Sequence, residues 1–142
     1  MDFPDVAEEL SLLGCKTFSM GDCLKVTLEG NDMIVFEDER GDLVMNHTIA
    51  HLGDIPQEQL LNVILSCLDA NRRVRPAAFS IVMSKEWEVL EVPLILTTSL
   101  PMSLLTQPLL KDALARFGKA LALSRMILDE ALENQDVGLI NA

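Results

Sequence analysis

Two histidines, His47 and His51, stand four residues apart. On a helix that spacing would put both imidazoles on one face, where they could bind a divalent metal. The segment from Leu43 to Ile49 reads instead as a strand running into a loop, where side chains four apart do not converge. No glutamate follows His47 in the manner of a zinc hydrolase, and no third ligand stands at a telling distance. Both imidazoles are expected as surface or hydrogen-bonded groups, and no metal ligand is assigned.

A cysteine nucleophile needs a base nearby to make thiolate. Cys67 falls on an apolar helical arc and Cys23 opens a strand, and neither has a histidine close in sequence. With Cys15 they make an odd number without a CxxC pair, the pattern of small reduced side chains in a reducing compartment. No GxSxG, Walker or GxGxxG pattern occurs. The acids of Glu37-Asp38-Glu39-Arg40-Gly41-Asp42 lack the loop length and closing glutamate of a calcium-binding hand, so they read as a solvated turn. Arg72, Arg73 and Arg75 follow a helix, where they complement its dipole or meet an acidic partner. No catalytic constellation survives, and the expectation is a non-enzymatic protein without a cofactor.

The elements that carry these residues follow from periodicity. Val6, Leu10 and Leu13 recur at helical spacing before Gly14, which predicts a helix over 3–13. From Cys23 to Glu29 the period changes to two, with Leu24, Val26 and Leu28 on one face. Gly30-Asn31 predicts a two-residue hairpin turn into a strand over 33–37, and a further turn leads to a strand over 43–49. Asp54, Pro56 and Gln57 announce a helix to about Asn71, apolar over a wide arc: Leu60, Leu61, Val63, Ile64, Leu65, Cys67 and Leu68. A second hairpin is expected from 78–83 and 87–96, with Pro93 at an edge or bulge. After a break at Thr97-Thr98-Ser99, a long helix over 107–133 carries Leu110, Leu114, Phe117, Leu121 and Leu128, and a frayed tail spans 134–142. The order α-β-β-β-α-β-β-α gives an α+β fold: three helices and a five-stranded antiparallel sheet in one domain over 1–133, with 134–142 a flexible tail.

The chain has 142 residues, and its 22 acidic against 11 basic residues give a net charge of −11. That sign repels phosphate backbones and anionic lipid, which argues against nucleic-acid and membrane-surface partners. Six aromatic residues, none of them tyrosine, make a base-stacking platform a poor fit. No apolar run approaches the ~20 residues of a membrane span. The acidic opening MDFPDVAEEL is unlike a secretory signal, so a cytoplasmic protein is expected. Seven methionines and a helix greasy on more than one side leave an apolar surplus, and such a surplus suits self-association or a client groove.

Several local patterns resemble the small acidic class I chaperones of bacterial type III secretion. These are the opening helix from Asp5 to Leu13, the strand Cys23 to Glu29, and Leu43 to Ile49 before a Leu-rich helix. That helix closes with Leu65-Ser66-Cys67-Leu68-Asp69-Ala70-Asn71, and Leu100-Pro101-Met102 precedes the helix with Leu110, Leu114 and Phe117. The resemblance spans about residues 3–133. It implies a homodimer whose second helix forms the two-fold interface, here through Leu60, Leu61, Ile64 and Leu68. It also implies a partner: an extended segment of a secreted effector, bound by strand addition and apolar pockets. Val6, Leu10, Leu24, Val26 and Leu28 are the candidates to touch that client. The alternative is an interaction protein of the same fold, stress-related or sequestering a regulator, with no secretion client.

Overall fold

The computed structural model describes the backbone of residues 1–82 and 91–141 and the side chains of 1–82 and 91–132. In chain order the elements are α1 (Phe3–Leu12), β1 (Lys16–Met20), β2 (Cys23–Leu28), β3 (Asn31–Glu37) and β4 (Asp42–His51). They continue with α2 (Gln57–Ala70), β5 (Ala78–Ile81), β6 (Pro93–Pro101) and α3 (Gln107–Asn141). Among the described residues the class is α+β with three helices, but the antiparallel sheet has six strands, in the order β1-β2-β3-β4-β6-β5, where five were expected. The chain divides into two compact units, one of Met1–His47 with Thr97–Gly118 and one of Thr48–Leu96 with Lys119–Ala142.

In the first unit α1 starts from a reciprocal cap. The Asp5 backbone N–H donates to the Asp2 carboxylate at 2.9 Å, and the Asp2 N–H donates to the Asp5 carboxylate at 3.1 Å. The donated backbone bond holds the Asp2 carboxyl below its ordinary range. Val6 and Leu10, one turn apart, are fully buried, and Gly14 at φ 92° ends the element in a conformation that suits glycine.

The strand that sequence periodicity misses is β1. Its residues pair with β2 as Lys16 to Thr27, Phe18 to Lys25 and Met20 to Cys23, with Thr17 opposite Val26 and Ser19 opposite Leu24. Leu24 and Val26 are buried, so the inward side of β1 is Thr17 and Ser19, and its apolar residues point outward. A test that looks for apolar residues on the inner side finds none there. The β2–β3 turn also differs from expectation. Its two central residues are Glu29 and Gly30, both at positive φ (52° and 82°), and Asn31 already belongs to β3. Two positive φ values define a type I′ turn, whose twist matches the flanking strands. Across β3 and β4 the register sets Val35 against Met45, both fully buried. Phe117, Leu110 and Leu114 of α3 complete this core. The turn after β3 is tied twice: the Asp38 carboxylate accepts the N–H groups of Arg40 and Asp42 at 2.9 Å, and the Gly41 carbonyl accepts the Met102 N–H at 3.0 Å.

In the second unit Asp54 belongs to a short 3-10 turn and caps nothing, and α2 begins at Gln57 behind Pro56 without a side-chain cap. Val63, Cys67 and Ala70 are its buried apolar positions, with Val74, Ala77, Phe79, Leu94 and Leu96 in the same core. The Asn71 side-chain oxygen accepts the Phe79 N–H at 2.7 Å and the Asn62 amide donates to the Ala131 carbonyl at 3.0 Å. Pro93 is the first residue of β6, an interior strand, which a missing donor tolerates as well as an edge. The expected break at Thr97-Thr98-Ser99 is strand, because β-branched threonines suit the pleat and Thr97 donates to Asn46. Of the second hairpin, residues 83–90 lie outside the described residues. The backbone of α3 is helical as far as Asn141, past the expected end near Glu133.

Cys15 and Cys67 are buried while Cys23 is half-exposed, and burial pushes the Cys67 thiol up to about 11. At pH 8 iodoacetamide is therefore expected to label Cys23 first, with Cys15 and Cys67 labelled only in denaturant, as peptide mass mapping would show. Because the unfolded Cys67 ionises near pH 9 and the folded one near 11, stability should fall as pH rises through that window. Glu29→Asn should relieve the left-handed strain and raise stability by about 1 kcal/mol, read as a higher urea midpoint at unchanged slope.

Candidate functional site

The groups that suggested chemistry are held in structural roles. His47 is 6% exposed, with Nδ1 2.6 Å from the Asp32 carbonyl, and its buried Nε2 has no hydrogen-bond partner among the described residues. His51 is exposed, with Nδ1 3.8 Å from the Asp54 carboxylate. A strand separates residues four apart by about 13 Å, too far for one metal ion. Among the described residues no three His, Cys, Asp or Glu side chains group to hold a metal. Burial keeps the Cys15 and Cys67 thiols protonated at neutral pH, so neither is an activated nucleophile. Arg72, Arg73 and Arg75 are exposed and make no ion pair among the described residues.

What the surface offers instead is apolar. In the second unit the wide arc of α2 divides in two. Val63, Cys67 and Ala70 turn inward, whereas Leu61 and Leu68 are 68% and 57% exposed and Leu65 is 55% exposed. Leu60 and Ile64 are half-buried between the two sets. The interface set expected from sequence is thus at least partly accessible throughout, and Leu65 joins it at helical spacing. Beside it a cleft of about 270 Å³ is lined by Ile64, Cys67 and Leu68 of α2, Phe79, Ser80 and Ile81 of β5, and Leu94.

In the first unit the five residues proposed to touch a client are placed differently. Val6, Leu10, Leu24 and Val26 are buried and Leu28 is half-buried. Alternation identifies residues that share a face and leaves open which way that face turns. A client reaches these four only by displacing the elements that cover them. The accessible apolar residues here are Leu12, Phe18, Met20, Leu104 and Leu109. Phe18 and Met20 went unnoticed because β1 was not assigned as a strand, although the alternation Lys16, Phe18, Met20 was present.

The position of β1 gives those two side chains a context. It is the first strand of the sheet, and among the described residues its backbone bonds only to β2. One row of its N–H and C=O groups makes no backbone bond there, and α1 touches the strand where the Ser11 and Thr17 hydroxyls stand 3.1 Å apart. Its outer side forms a hollow of about 500 Å³ with β2, lined by Lys16, Thr17, Phe18, Met20, Lys25 and Thr27.

Among the described residues no helix is long and apolar enough to cross a membrane. No protein-family pattern matches the chain, and no curated protein matches it. Five chains of solved structures do match. One of them belongs to the structure of the HopA1–SchA chaperone–effector complex, with a TM-score of 0.55 and 14% identity over 91% of this chain and 98% of that one. At that identity the likeness is one of fold: this chain has the α+β fold of a chain found in a chaperone–effector complex.

Proposed function

We propose that this protein is a non-enzymatic, cytoplasmic chaperone that holds an extended segment of a secreted effector and keeps it competent for type III export. The observation that carries the reading is the open β1 edge, where Phe18 and Met20 stand 68% and 47% exposed. Natural sheet edges are ordinarily blunted by short strands, prolines or charges; β1 is short and carries Lys16, yet it also holds two large exposed apolar side chains. Such an edge offers main-chain hydrogen bonds to any sequence and apolar contact to alternate side chains. The fold shared with a chain of a chaperone–effector complex supports the same assignment. Holding of this kind works by mass action, so it uses no nucleotide and no catalytic residue.

The second apolar feature belongs to assembly. Leu61, Leu65 and Leu68, flanked by Leu60 and Ile64, form a self-complementary stripe on α2 for a two-fold homodimer. The high negative charge keeps a chain with this much exposed apolar surface in solution.

Light scattering at micromolar concentration is expected to give twice the 15.7 kDa chain mass. Two-fold symmetry doubles each substitution, so Leu61→Asp or Ile64→Asp should weaken dimerisation roughly a hundred-fold or more. A monomeric wild type, or variants that stay dimeric, would remove α2 from the interface. Co-expression with proteins encoded nearby tests the client: a chaperone shields an otherwise protease-sensitive segment, and Phe18→Ser should expose it again. Capture of a folded regulator in place of such a segment would favour the regulator-sequestering alternative.

A further inference from the structure

We propose that the β1 edge selects extended segments that carry acidic residues beside apolar ones, through Lys16 and Lys25. The proposal rests on the reading of β1 as the client edge and adds the chemistry of the client.

The local charge is opposite to that of the molecule. The whole chain has two acidic residues for each basic one, whereas the β1–β2 hairpin from Lys16 to Leu28 holds two lysines and one acid, Asp22. Register places both lysines with the apolar pair. Lys16, Phe18 and Met20 alternate along the outer side of β1, and Lys25 of β2 is directly opposite Phe18. All four line the same hollow. Lys16 carries the free charge, while that of Lys25 is shared with Asp32 in an exposed ion pair. Lys16 is exposed and has no ion pair among the described residues. Lys25 has its ammonium 3.8 Å from Asp32, beyond hydrogen-bond reach, and the other oxygen of that carboxylate accepts the Thr27 hydroxyl at 2.8 Å.

A strand added to β1 sets every second side chain next to Lys16, Phe18 and Met20, about 7 Å apart. An acid beside Lys16 and an apolar residue beside Phe18 satisfy both partners. A second copy of β1 would instead bring one more lysine and no acid to the same edge, so it offers Lys16 no partner, whereas a foreign acidic strand does. The net charge of −11 acts against an acidic client only at long range, because physiological salt screens exposed charges beyond about 8 Å. At contact the lysines decide.

Fluorescence anisotropy of the full-length protein with three labelled octapeptides tests this. Every second residue is threonine, and the remaining positions alternate isoleucine with glutamate, glutamine or lysine. The glutamate peptide should bind roughly five- to ten-fold more tightly than the glutamine peptide, with the lysine peptide weakest. The preference should shrink in added salt, vanish in Lys16→Gln/Lys25→Gln and reverse in Lys16→Glu/Lys25→Glu. Phe18→Ser should weaken all three. Equal affinity for the three peptides, or a glutamate preference that survives the lysine substitutions, would overturn the charge inference while leaving the edge intact. Absence of binding by every peptide, or binding indifferent to Phe18→Ser, would overturn the edge reading and the inference with it.

Discussion

Register in the β1–β2–β3 meander is the constraint on which the interaction surface depends. Two-residue turns at Gly21-Asp22 and Glu29-Gly30 leave no slack, so Met20 must oppose Cys23 and Leu28 must oppose Asn31. Because side chains alternate with period two, a slip of one residue would exchange the two faces. The observed pairing sends Leu24, Val26, Met33 and Val35 into the core and leaves Phe18, Met20 and Lys25 outside. The positive φ at Glu29, unusual for a residue with a side chain, is the local strain that accompanies this registration.

A second constraint operates on α2. A helix 14 residues long presents more apolar circumference than one core can cover. Val63, Cys67 and Ala70, at spacings of four and three, occupy the stripe that faces inward. Leu61, Leu65 and Leu68 lie nearly half a turn away and remain in water. Exposed leucine carries a free-energy penalty that burial against another apolar surface relieves.

The α+β class, the three helices and most strands were legible in the sequence because their periodicity and punctuation agree. Gly14 stops α1, the wide arc marks α2, and Leu110, Leu114 and Phe117 mark the buried stripe of α3. β1 was not legible, since its inward side is threonine and serine and its apolar residues face out. The hidden strand is also the first strand of the sheet, and its polar inward side lacks the pattern of a strand that fills a core. The face formed by Leu24, Val26 and Leu28 was read correctly as one face, but alternation does not say which side of a sheet its helices will cover. The spacing of His47 and His51 points to a metal only on a helix, and the segment is strand β4.

The turn after β3 has a further consequence. Asp38 gathers two backbone N–H groups, and the Gly41 carbonyl is bonded to Met102 at the far end of β6, so a hairpin tip that looks disposable is stapled to a distant part of the chain. Ordinary surface loops accept added length at little entropic cost. An affinity tag or fluorophore spliced into Asp38–Asp42 would therefore break these bonds and free the chain at Met102.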